Sequence, residues 1–188
     1  MPKVLIFAGA NGSGKTTLAN TVLEPLLPFV NADEIKAKQG FSDFEASKRA
    51  LLTIDSYISK DKDFSFETTM SGLGLQKRFK QFENKNYHIA IFYLFVYPVD
   101  LLKERIKERQ KKGGHIIAEE DIVRRYYRSV KNFWNIYKKY AGEWAIINNN
   151  EFKYRNIAVG HKETFDIIDE NEFKIFKEVL KNDKSRCA

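Results

Sequence analysis

The eight residues GANGSGKT, Gly9 to Thr16, constrain this chain more than any others. An apolar run of strand length, Val4 to Ala8, precedes them, and a stretch with helical spacing follows. G-x4-G-K-T between a strand and a helix is the P-loop pattern. Its glycines let backbone N–H groups converge on phosphate oxygens without a Cβ in the way. The helix N-terminus adds its partial positive charge. On this reading Gly9, Ala10, Asn11, Gly12, Ser13, Gly14, Lys15, Thr16 and Thr17 cradle ATP (or GTP). Lys15 meets the β and γ phosphates, and Thr16 ligates Mg²⁺. The destination of the terminal phosphate must be read from the rest of the chain.

Further strands are predicted near Phe29–Asn31, Phe64–Glu67, Ile89–Tyr97 and Trp144–Ile147. Helices are predicted between them, over 15–26, from a Ser42–Glu45 capping box to about Ser59, and over 76–84, 100–111 and 119–140. Gly113-Gly114 separates the last two. This alternation predicts an α/β fold: a P-loop NTPase/kinase-like three-layer sandwich, with a mainly parallel five-stranded sheet and a helical lid. The 188 residues are read as one domain, its lid over about 100–140 and its terminal strands and helix over about 155–181. Ligands of such sheets sit at the carboxyl ends of the strands, so functional residues are expected just after them.

Three P-loop classes lack their signatures. There is no N/T-K-x-D base-reading motif and no LSGGQ-like segment. FSFE ends in a single acid, Glu67, followed by Thr68-Thr69, rather than in the acidic pair of a motor-type ATPase. What remains is a kinase-like arrangement, with three sets of candidates. Asp33, after the second strand, could orient or deprotonate an acceptor hydroxyl, or hold Mg²⁺ through water; the competing role is to cap a helix beginning at Glu34. Glu67 and Thr68, after the third strand, suit an acceptor hydroxyl, with local turn chemistry as the competing role. Arg105, Arg109, Arg124, Arg125 and Arg128 lie on the helical cover, and Arg109 and Arg125 are taken as the catalytic pair. His115 is read as a surface loop residue.

The net charge of +7 lies entirely in Leu101–Tyr140, where 12 Lys or Arg face 5 Asp or Glu. A basic segment attracts nucleic acid, a membrane surface or the phosphates of a small ligand. The small ligand is the preferred partner, with nucleic acid ranked below it. Tyr126, Tyr127, Phe133, Trp134, Tyr137 and Tyr140 have helical spacings and read as a core-facing stripe, with base stacking the alternative. Cys187 is the only cysteine, so no intramolecular disulfide is expected and the chain is placed in the cytoplasm. No apolar run reaches the roughly 20 residues of a membrane span, and the first is too short for a signal peptide. The last residues, KNDKSRCA, are expected to fray.

The segments FAGANGSGKTT, VNADEI, SFETTMSG, RIKERQKKGGHI and DIVRRYYRSVKNF resemble, in content and order, the zeta toxin family of P-loop kinases. The resemblance is closest to its branch of predicted ATPases, and it runs over residues 3–160. It implies a kinase that uses ATP (or GTP) and Mg²⁺. It also implies a nucleotide-sugar acceptor, UDP-N-acetylglucosamine in characterised members, and an antitoxin protein that blocks the nucleotide site. By motif, Asp33 would be the general base, Glu67 and Thr68 would touch the acceptor, and the arginines around Arg109 and Arg125 would stabilise the transferred group. The sequence departs from the family at Glu67-Thr68-Thr69, often E-G-T, and at Asn148-Asn149-Asn150, often D-N-S. A polynucleotide 5′-hydroxyl kinase and a non-catalytic ATP-binding switch remain as alternatives.

Overall fold

The structure, a computed structural model, describes residues 1–23, 27–111 and 117–182. The strands are β1 (Lys3–Gly9), β2 (Phe29–Val30), β3 (Phe64–Thr68), β4 (His88–Phe95), β5 (Glu143–Asn148), β6 (Arg155–His161) and β7 (Thr164–Ile167). The helices are α1 (Lys15–Val22), α2 (Ala32–Gln39), α3 (Asp43–Ser59), α4 (Gln76–Asn84), α5 (Val99–Lys111), α6 (Glu119–Asn132) and α7 (Glu170–Lys181). The sheet order is β2-β3-β1-β4-β5-β6-β7. The first five strands are parallel, as expected, but the sheet has seven strands, not five. The terminal segment adds β6 and β7 as an antiparallel extension beyond β5. The parallel order places the P-loop strand β1 between β3 and β4, so the end of β3 lies beside the loop.

Alternation along β1 splits its side chains between the two faces of the sheet. Val4, Ile6 and Ala8 enter the larger core, Phe7 the smaller. Ala50, Ile54 and Ile58 of α3, at four-residue spacing, pack into the larger core with Phe79 and Phe82 of α4. Ile122, Tyr126 and Val130 of α6 and Phe173 and Phe176 of α7 complete it. Each fully buried side chain of this size contributes about 1.5–3 kcal/mol. The smaller core is closed by α1 through Leu18 and Ala19. The three layers are therefore unequal.

The capping box forms as predicted: Ser42 Oγ accepts from Glu45 N at 3.3 Å, and Glu45 Oε2 accepts from Ser42 N at 3.1 Å. The predicted helix over 119–140 is shorter. It ends at Asn132 and gives way to a π turn, Phe133–Tyr137, and a 3₁₀ turn, Lys138–Tyr140. The aromatic stripe is core: Tyr126, Tyr127, Phe133 and Tyr137 are buried, and the Phe133 ring stacks on Tyr93 at 4.3 Å. These rings are not available for base stacking. Helix α1 ends at Val22. Leu26, the Gly113-Gly114 break, His115 and Cys187 lie outside the described residues. No helix among the described residues is long and apolar enough to cross a membrane.

Candidate active site

A cleft of about 1190 Å³ opens at the carboxyl ends of the parallel strands. Its floor is the P-loop. Gly14 has φ 93°, and a Cβ there would stand 2.4 Å from Asn149 Nδ2. Gly9 has φ 136°, with a would-be Cβ 2.5 Å from the Leu94 carbonyl oxygen. Only glycine meets both the backbone conformation and the close approach. Lys15 is buried, and its ammonium donates to the Ala10 carbonyl at 3.0 Å. Burial pushes its pKa down; the Glu67 and Asp33 carboxylates oppose that shift, and Arg109 adds to it. The Ser13 hydroxyl is buried without a partner among the described residues, which suits a phosphate oxygen as acceptor.

Parallel pairing sets Phe7 opposite Glu67 and Ala8 opposite Thr68. This register brings Glu67 to the loop, where Thr16 Oγ1 donates to Glu67 Oε2 at 2.6 Å. Glu67, predicted at the acceptor, therefore lies against the residue predicted to hold Mg²⁺. A hydroxyl and a carboxylate are hard oxygen donors and fit that ion. Among the described residues no group of three or more His, Cys, Asp or Glu could hold a metal. Phosphates and water would have to complete the shell, as is usual for Mg²⁺ at nucleotide sites. Thr68 lines the cleft, and its Oγ1 accepts from Met70 N at 3.1 Å, a local turn contact.

Helix α2 begins at Ala32, and its cap is Asn31, not Asp33. The buried Asn31 side chain accepts from Asp33 N at 2.8 Å and Glu34 N at 3.3 Å. The capping role weighed for Asp33 is thereby filled by another residue. The Asp33 carboxylate faces the cleft and pairs with Arg109 at 2.9 Å. Both side chains are more than half exposed, at 57% and 56%. Such a pair is worth about 0–1 kcal/mol, weak enough to exchange partners.

The arginines have separate tasks. Arg105 donates to the carbonyls of Asn149 at 2.8 Å and Asn150 at 2.7 Å, and its guanidinium lies 4.2 Å from the Phe152 ring. It ties α5 to the turn after β5. Arg109, one helical turn on, reaches Asp33 instead. Arg125 lines the cleft, half-exposed and 4.0 Å from Asp121, whereas Arg124 pairs with Asp121 directly. Sequence reading gave no site role to Asn31 or Phe152, and met Asn149 only as a departure from the family's pattern. Asn149 Nδ2 donates to the Ser13 carbonyl at 2.8 Å and braces the loop. The run of three asparagines after β5 was the visible signal. Phe152 is exposed at the cleft with φ 58°, a strained setting for an aromatic residue.

No family model matches the chain. A protein of Haemophilus influenzae described as uncharacterized is 29% identical over 129 residues, covering 66% of this chain and 92% of that protein. The fold matches a chain of the AvrRxo1-ORF1:AvrRxo1-ORF2 complex, with a TM-score of 0.73 and 11% identity. The match covers 96% of this chain and 64% of that one, so this chain spans under two thirds of its length. That complex has also been solved with ATP. A chain of the PezAT toxin–antitoxin system of Streptococcus pneumoniae matches with a TM-score of 0.60 and 13% identity, over 96% of this chain and 86% of that one. At these identities the likeness establishes a common fold.

Proposed function

We propose that this chain, whose fold is that of the zeta-toxin-like P-loop kinases, is an ATP-dependent phosphotransferase that moves the γ-phosphate to a hydroxyl of a small molecule. In this reading the P-loop N–H groups and Lys15 hold the β and γ phosphates. Thr16 and Glu67 would hold Mg²⁺, which would neutralise phosphate charge when bound. Asp33 takes the proton of the acceptor hydroxyl. The new bond joins acceptor oxygen to Pγ, and the bond from Pγ to the bridging oxygen breaks, giving ADP. Arg109 leaves Asp33 for the transferring group, and Arg125 closes from α6. The Asp33–Arg109 pair carries the proposal: it sets a carboxylate that no helix start uses beside an exchangeable cation, in the same cleft as Lys15.

The test is a mass-spectrometric assay with Mg-ATP and a panel of hydroxyl acceptors, UDP-N-acetylglucosamine among them because the resemblance implies it. A product heavier by one phosphoryl group, absent with Asp33→Asn, supports the reading. ADP without such a product would make the protein an ATPase, and ATP binding without turnover would favour a switch. An antitoxin-like partner belongs to the same reading, and would act by covering the cleft.

A further inference from the structure

Phe152 is held against its own backbone preference. Its φ of 58° lies in the left-handed region, which a residue with a bulky side chain rarely adopts. Glycine would enter that region without steric cost. The ring is 74% exposed, so burial of apolar surface does not offset the strain. The Arg105 guanidinium lies 4.2 Å from its centroid, but an exposed cation–π contact returns no more than such strain costs. Phe152 lines the same cleft as the P-loop, and backbone strain kept at a cleft marks a position selected for a ligand.

The turn that carries the ring is tied down on three sides. Asn149 Nδ2 donates to the Ser13 carbonyl at 2.8 Å, which fixes the turn to the P-loop. The Asn150 side chain accepts from Tyr97 N at 3.0 Å and donates to the Tyr97 carbonyl at 2.7 Å, which fixes it to the segment after β4. Arg105 holds the Asn149 and Asn150 carbonyls from α5, and its Nη1 lies 3.5 Å from the Gly12 carbonyl. One guanidinium therefore touches the P-loop on one side and the Phe152 ring on the other. The ring is presented on a fixed frame, the width of that guanidinium from the phosphate cradle.

We infer that Phe152, backed by Arg105, is the seat of the donor's nucleobase, which stacks on the ring face turned away from the guanidinium. The inference rests on the P-loop reading of the cleft. Strand order gives the direction in which the nucleotide lies. Asp33 stands just after β2 and Glu67 near the end of β3, on one side of β1, whereas Phe152 follows β5 on the other. With the γ-phosphate held towards Asp33 and Glu67, the other end of the nucleotide extends to the β5 side. Every base offers a π face, and stacking strengthens with ring area, so the seat favours purine over pyrimidine nucleotides.

Calorimetric titration of Mg-ATP, Mg-CTP and Mg-tripolyphosphate into wild type and Phe152→Ala tests the inference. Tripolyphosphate fills the cradle but carries no base. The variant should bind ATP at least fivefold more weakly, change its affinity for tripolyphosphate by less than twofold, and lose most of the preference for ATP over CTP. Phe152→Tyr, which keeps the π face, should hold ATP within twofold of wild type. Equal losses for ATP and tripolyphosphate would mean that the ring only props Arg105 against the P-loop, and would overturn the inference. So would an unchanged ATP affinity in Phe152→Ala. If wild type binds neither ATP nor tripolyphosphate, the P-loop reading itself falls, and the seat with it.

Discussion

Asn31 and Asp33 stand two residues apart and carry similar side chains, yet position gives them different work. Asn31 is buried and consumed by the helix start; Asp33 is left to face the cleft. Asp33→Asn should leave ATP affinity by calorimetry unchanged and lower kcat by about 10²–10⁴-fold, the range for general-base removal. The same logic separates Arg105 from Arg109. Arg105→Ala leaves the carbonyls of Asn149 and Asn150, and the more distant one of Gly12, without their charged donor and should cost about 1.5–3 kcal/mol in a denaturant titration. Arg109→Ala breaks an exposed pair and should change stability by less than about 1 kcal/mol. Its effect should fall on kcat, by about 10³-fold if it meets the transferring group. Comparable kinetic losses from both variants, without a stability difference, would contradict this division. Gly14→Ala should weaken ATP binding, because its Cβ would collide with Asn149 and its φ is left-handed.

Elements set these residues by their ends. The start of α2 fixes Asp33, so Asn31→Ala should both destabilise the fold by about 1 kcal/mol and reduce kcat. The cap of α3 adjoins the cleft-lining Asp43 but fixes none of the residues assigned to the chemistry. Ser42→Ala should cost a similar amount in a urea titration and leave the intrinsic phosphoryl-transfer step intact. The capping box was legible because its two partners are three residues apart and its geometry is local. The end of α6 was not legible. The aromatic spacing continues past Asn132, but Phe133, Trp134 and Tyr137 satisfy it through a π turn packed against Tyr93, Trp144 and Phe79. The rings of other elements decided that change of pitch.

At the scale of the molecule, part of the basic charge of residues 101–140 is paired within the fold. Lys103 pairs with Asp100, Lys107 with Glu119 and Lys138 with Glu163. Binding to nucleic acid would then rest on weak, salt-screened attraction. A labelled 5′-hydroxyl oligonucleotide should give no anisotropy change at physiological salt, and retention there would revive the polynucleotide reading. The sequence by itself determined the P-loop, the parallel strands, the core stripe and the acid after the second strand. Each is a short-range pattern whose geometry follows from a few consecutive residues. Tertiary structure alone decided that Glu67 meets Thr16 across 51 residues, Arg109 meets Asp33 across 76 and Arg105 meets Asn149 across 44. Those meetings depend on strand order, on β1 lying between β3 and β4. No local spacing encodes that order, because it is fixed by how helices and strands bury their apolar faces together.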